Sequence, residues 1–182
     1  MKTLALALLC ALTLPVMAAL GDVVAKEELP IEWFAGEKPQ AWPTDDLWVF
    51  ECWTTWCGPC LRAIPHMEQL WNTVKGGNIH IAGVNLQRDK TPESLREFFI
   101  RQPVPPTYSM AIDTDNRFAQ KMKIIGIPHA VIIRNGKVVW QGHPMSLKPE
   151  TLRELAAPAA ACESATEKKA PCTCPKCTAK AQ

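Results

Sequence analysis

The chain has 182 residues, of which 47% are hydrophobic and 21% charged, with a net charge of +2. That length holds one domain of ordinary size with a tail and excludes two full domains. The apolar fraction excludes wholesale disorder and collagen-like repetition, and the near-neutral balance excludes the clustered basic face that nucleic acid requires.

Met1 to Ala19 is expected to be a secretory signal. Lys2 supplies the positive start, Leu4 to Leu14 an apolar run, and Val16-Met17-Ala18-Ala19 the small residues before a cleavage point. The run is shorter than the roughly 20 residues that span a bilayer, so removal is expected; only an uncleaved signal would tie the chain to a membrane. Cys10 does not mark a lipoprotein, because Leu9 is too large for the position before a lipid-bearing cysteine. The compartment implied is one where disulfides persist, a bacterial periplasm.

Residues 20–156 are expected to form the folded domain. Leu20 to Asp46 is an irregular lead-in. Trp48 to Thr54, β-branched and aromatic, predicts a buried strand. Cys60 to Val74 predicts a helix with Leu61, Ile64, Met67, Trp71 and Val74 near one face, and Pro65 inside it predicts a kink. Gly76-Gly77 ends it, and Ile79 to Asn85 is a second strand. Thr91-Pro92-Glu93 opens a helix reaching Ile100, since threonine caps and proline at the first helical position loses no hydrogen bond. After Pro103, Pro105 and Pro106, Tyr108 to Ile112 is a short extended piece, and Asp113-Thr114-Asp115 caps a helix reaching Met122. Ala130 to Arg134 and Lys137 to Gln141 flank Asn135-Gly136, a strong hairpin signal. Ser146 to Ala156 predicts a last helix. The order β-α-β-α-β-α-β-β-α implies an α/β fold, a central mixed sheet flanked by helices.

Trp56-Cys57-Gly58-Pro59-Cys60 lies where the buried strand gives way to a helix. A cysteine there faces unpaired backbone N–H groups and the positive end of the helix dipole, both of which favour thiolate. Two intervening residues put the sulfurs one turn apart, close enough to bridge. Cys57 is then the exposed nucleophile, and Cys60, buried one turn inward, resolves the mixed disulfide. Pro59 fits the first turn. C-x-x-C also occurs in zinc knuckles; the Gly-Pro filling and the preceding tryptophan argue against one here. Trp56 should border the reactive pair as a surface for substrate. Cys52 is expected to be an inert buried thiol on the face opposite Glu51. His66, His80, His129 and His143 show no ligand spacing and read as structural or surface residues.

The stretch Val49 to Pro65, with its Trp-Cys-Gly-Pro-Cys, resembles thioredoxin, as does Gly126-Ile127-Pro128 followed by a strand, an Asn-Gly hairpin and a second strand. The signal and the extra segment from about Lys90 to Met122, an α/β insertion before the cis-proline strand, look more like the periplasmic TlpA/ResA branch. The resemblance implies a thioredoxin fold and a thiol–disulfide oxidoreductase acting on protein disulfides, with no cofactor required. Cys57 matches the attacking cysteine, Cys60 the resolving one and Pro128 the cis-proline against the disulfide. Ile127 would offer its backbone to a substrate chain, with Trp56, Gly58 and Pro59 beside it. Glu51 matches the buried acid of thioredoxin, expected to have a raised pKa and to take the proton of Cys60. Gly-Pro between the cysteines and Ile127 before Pro128 resemble the reducing members, so a reductase is favoured over an oxidase, fed by analogy from a membrane thiol-transfer protein.

Residues 157–182 form a tail with too few large apolar residues for a core. It carries Cys162, Cys172, Cys174 and Cys177, the last three as C-x-C-x-x-C, and the resemblance does not extend to it. Three readings stand: a Cu(I) or Zn(II) site, two disulfides, or a relay exchanging disulfides with Cys57. The metal reading would make the protein a metal-binding chaperone or scavenger on a thioredoxin scaffold.

Overall fold

The computed structural model describes residues 29–157; the expected signal and the tail cysteines lie outside them. Six strands form one mixed sheet in the order β1-β4-β3-β2-β5-β6. Strand β1 is Glu32–Ala35, β2 Leu47–Trp53, β3 Ile79–Asn85, β4 Ser109–Ile112, β5 His129–Arg134 and β6 Lys137–Gly142. Strands β2, β3 and β4 run parallel, whereas β1 and β5 join them antiparallel and β6 closes the far edge. All seven residues of β2 are buried, as suits an apolar strand in the middle of a covered sheet.

Alternation along β2 sorts the core into two layers. Leu47, Val49 and Trp53 face helices α1 (Gly58–Val74), α2 (Pro92–Ile100) and α4 (Pro149–Ala156), whose Ile64, Met67, Leu95 and Leu152 complete that layer. Trp48, Phe50 and Cys52 face the other side, where α3 (Arg117–Met122) contributes Phe118 and Met122. A six-residue helix covers only part of that face. The lead-in covers the rest: Trp33 packs edge-on against Trp48 at 5.5 Å and Trp42 against Phe50 at 6.2 Å.

Two expectations about the elements need correction. The lead-in is not wholly irregular, since Glu32–Ala35 pairs with β4 and makes a sixth strand. The last helix is divided: a 3-10 turn at Pro144–Ser146 precedes α4, because Pro149 suits a helix start and not its interior. The expected cap of α3 is present: the Asp113 carboxylate accepts from Phe118 and Ala119 N–H at 3.1 and 2.9 Å, while Asn116 stands at the helix N-terminus in a left-handed conformation. Pro65 lies inside α1, which continues to Val74. Its ring lies on the exposed side, where water can satisfy the carbonyl it frees.

Two glycines end elements with left-handed backbone: Gly36 after β1 (φ 71°) and Gly76 after α1 (φ 88°). A Cβ on Gly36 would sit 2.6 Å from the Ser109 Cα, while one on Gly76 would meet nothing within 4 Å. Gly76→Ala should therefore cost about 1–2 kcal/mol of conformational strain. Gly36→Ala should cost that plus about 1–3 kcal/mol of overpacking against β4. Urea unfolding of both variants checks the ranking; equal losses would contradict it.

Candidate active site

Strand β2 ends at Trp53, and the chain turns through Thr54–Trp56 into α1. The turn is pinned by the segment that follows β3: Leu86 N–H donates to Trp53 O at 3.0 Å, and the Thr55 N–H and hydroxyl both donate to Gln87 Oε1 at 2.6 and 2.7 Å. This places Cys57 beyond the carboxyl end of a central parallel strand, where α/β sheets put their reactive groups. Cys57 is itself the N-cap of α1. Its Sγ accepts from the Cys60 N–H at 3.2 Å, and its carbonyl accepts from Leu61 N–H at 3.0 Å. Pro59, in the first turn, lacks an N–H that would have had no partner inside the helix.

Cys57 and Cys60 are joined by a disulfide, their Cα atoms 5.2 Å apart. Cys60 is fully buried. Cys57 is only 5% exposed, which corrects the expectation of an exposed sulfur. Its side chain belongs to the same apolar cluster as Trp53, Ile64 and Met67, so only a sliver of it meets solvent. The accessible surface next to it is Trp56, 72% exposed.

Glu51 alternates onto the α1 side of β2 and is completely buried. Desolvation raises its pKa from 4.5 to about 8, against a smaller lowering by its hydrogen bond from Tyr108. The Tyr108 hydroxyl donates to Glu51 Oε2 at 3.1 Å, and Oε1 has no protein partner. Tyr108 is a site residue that sequence reasoning missed. The signal was present: it is the chain's one tyrosine, it leads into a buried strand, and a buried phenol needs a partner. The preceding residue is tied down as well, since the Thr107 N–H and hydroxyl donate to the Glu68 carboxylate of α1 at 2.7 and 2.6 Å. Cys52 faces the opposite layer from Glu51, and burial pushes its thiol far up.

The Ile127–Pro128 peptide bond is cis. Antiparallel pairing of Cys52 with His129 sets these two residues level with the end of β2, beside the turn that carries Cys57. Ile127 packs against both core layers. His129 Nε2 lies 3.3 Å from Gln141 Oε1, and His66 Nε2 lies 3.1 Å from Leu147 O. His80 stacks on Trp48 near Asp46, and the His143 ring accepts from Met145 N–H. A groove of about 360 Å³ runs from Thr55 along α2, lined by Lys90, Glu97, Phe98 and Arg101. Among the described residues, no three His, Cys, Asp or Glu side chains are placed to hold a metal, and no helix is long and apolar enough to cross a membrane. Cys162, Cys172, Cys174 and Cys177 lie outside the described residues.

Chemically, a C-x-x-C disulfide at a helix N-terminus can be opened by a thiolate and reformed by its own second sulfur. A family model described as thioredoxin-like matches residues 45–138, just over half of the chain. A thioredoxin of Mycolicibacterium smegmatis is 35% identical over 107 residues, covering 59% of this chain and 73% of that protein. The thiol-disulfide oxidoreductase ResA of Bacillus thuringiensis subsp. konkukian is 27% identical over 90 residues, covering 49% of this chain. The match spans 50% of that ResA protein's own length. The crystal structure of StoA from Bacillus subtilis superimposes with a TM-score of 0.52 at 19% identity, covering 63% of this chain and 84% of StoA. At that identity the likeness speaks for the fold.

The raised pKa of Glu51 makes stability depend on pH. The unfolded chain ionises this carboxyl near 4.5 while the folded protein keeps it protonated up to about 8. Its contribution to stability therefore falls as pH rises through that window and levels off above it. Glu51→Gln should remove the fall, gaining on the parent protein by a few kcal/mol across the window. Urea unfolding of the oxidised proteins at both ends of the window measures this; parallel pH profiles would contradict the assignment.

Proposed function

Since the chain belongs to the thioredoxin-like family, we propose that it is a thiol–disulfide oxidoreductase whose working pair is Cys57 and Cys60. The observation that carries this reading is the Cys57–Cys60 disulfide at the N-terminus of α1, with Sγ of Cys57 in the capping position.

In the reducing direction the cycle begins from the dithiol. The Cys57 thiolate attacks a protein disulfide, forming a mixed disulfide and releasing one substrate thiolate. Cys60 then gives its proton to Glu51 in those molecules whose carboxyl is ionised, a minority at neutral pH, and attacks Sγ of Cys57. The mixed disulfide breaks, the substrate leaves with both sulfurs reduced, and the Cys57–Cys60 bridge forms. A carboxyl with a pKa of about 8 is close to the roughly 8.5 of a free thiol, so the proton moves with little cost in either direction. Tyr108 holds one carboxylate oxygen and leaves the other free for the exchange.

Protein disulfides are the substrate class. Slight access to Cys57 suits a partner that presents an extended strand, received by Trp56, Gly58 and Pro59 on one side and the Ile127 backbone before Pro128 on the other. Gly-Pro between the cysteines and Ile127 before Pro128 support reduction over oxidation. The apolar run Leu4 to Leu14 supports a periplasmic location, where a membrane thiol-transfer protein would return electrons to the pair. No cofactor is needed for these steps.

Insulin-disulfide reduction with dithiothreitol as donor tests the reading. Cys57→Ser should lower the protein-dependent rate by at least about a thousandfold. Cys60→Ala should leave attack intact and accumulate protein held in mixed disulfide through Cys57. Undiminished reduction by Cys57→Ser would refute the assigned nucleophile.

A further inference from the structure

Two guanidinium groups flank the reactive turn without a counter-charge. On the α1 side, Arg62 is exposed and folds back one helical turn, so that a Cβ on Gly58 would lie 3.5 Å from its Nη1. The group thus covers the residue that follows Cys57. On the other side, Gln87 Oε1 accepts both hydrogen bonds from Thr55, and Arg88, the next residue, stands exposed beside that clamp. Between them, Trp56 presents its exposed ring.

Among the described residues, neither arginine has an ion pair or a hydrogen bond. The nearby acids are already engaged or out of reach. Asp89 pairs with Lys90 and Glu97 with Arg101, each at 3.6 Å, and Glu51 is completely buried. The first turn of α1 contains no acidic residue, and Asp115 follows β4, two strands away from β2. A chain that brings its disulfide to the barely accessible Cys57 must therefore approach between two uncompensated cations. A guanidinium of this kind receives a carboxylate through two parallel hydrogen bonds and repels a cation.

We propose that Arg62 and Arg88 form a cationic rim that selects protein disulfides flanked by acidic residues. The proposal rests on the oxidoreductase reading and narrows the substrate class of that same site. The thiol exchange itself is unchanged. The rim raises the rate at which an acidic segment reaches Cys57 and orients it there. The groove that runs from Thr55 along α2, with Phe98 in its wall, gives the flank on the Arg88 side a path away from the cysteines. Both arginines sit in water, so each contact is modest and is screened by salt.

The test uses three synthetic peptides that share one intramolecular disulfide and differ only in the residues flanking it, which are glutamate, glutamine or lysine. The full chain in its dithiol form, freed of dithiothreitol, is mixed with each peptide, quenched in acid and alkylated to give a second-order rate constant. The readout is the glutamate-to-glutamine rate ratio, divided by the same ratio for the double variant Arg62→Gln, Arg88→Gln. The peptides' own reactivity and any change in Cys57 cancel in that quotient. At low ionic strength it should be at least about threefold, and it should fall toward one in concentrated NaCl. The lysine-to-glutamine quotient should lie below one, and the double variant Arg62→Lys, Arg88→Lys should keep the order of the three peptides. A glutamate quotient near one would overturn the proposal, as would one that concentrated salt leaves unchanged, a preference for the lysine peptide, or loss of the order in the lysine variant. Reduction of all three peptides with no such preference sinks the rim alone, whereas failure to reduce any of them sinks the oxidoreductase reading beneath it.

Discussion

A sulfur atom caps α1. The hydrogen bond from Cys60 N–H to Cys57 Sγ uses a donor that every helix start leaves unpaired and gives it to the sulfur of the proposed nucleophile. The field that favours a negative charge there is a property of the helix and needs no charged side chain: the first turn of α1 contains no acidic residue to offset it. The reactive position therefore depends on α1 beginning where it does. That start is fixed by the fully buried β2, by the pinning of Thr55 to Gln87, and by Pro59 in the first turn.

The segment between α2 and β4 serves the site through two consecutive residues. Thr107 is bound by Glu68 of α1, and Tyr108 binds Glu51 of β2. Two buried carboxylates thus hold the entry to β4, one on the reactive helix and one under it. Their chemistry differs because their partners differ. The Glu68 carboxylate receives three hydrogen bonds, from the Thr107 N–H, the Thr107 hydroxyl and the Asn72 amide. Glu51 receives only the Tyr108 hydroxyl, so desolvation dominates and its proton stays on at neutral pH. The Glu51 carboxyl is thus left with one donor on the strand that leads to the cysteine pair, whereas the Glu68 carboxylate ties α1 to the entry of β4.

Much of this was legible in the chain. Strands β2 and β3 and helix α2 announce themselves by mostly apolar, β-branched or aromatic runs or a Thr-Pro start, and Thr91 and Ser94 do form reciprocal caps. The Cys57–Cys60 bridge is legible from the C-x-x-C spacing together with its Gly-Pro filling and preceding tryptophan, which zinc knuckles do not share. Strand β1 was hidden because four residues carry almost no periodic signal and their partner, β4, lies over seventy positions away. The near-closure of Cys57 was hidden for the same kind of reason, since its neighbours in the core, Ile64, Met67 and Trp53, come together only in three dimensions. Tyr108 could have been found by asking where its hydroxyl goes. Pro128 became interpretable through resemblance to a family, not through its local sequence.

The account's central claim is that the start of α1 holds charge on Cys57 despite the burial that opposes it. Titration of the reduced protein, following thiolate absorbance in the ultraviolet with Cys60→Ser to assign the signal, tests this most directly. The account predicts that Cys57 ionises at least about one unit below the roughly 8.5 of a free cysteine. Ionisation at or above the free value would mean that desolvation outweighs the helix, and the proposed nucleophile would lose its physical basis.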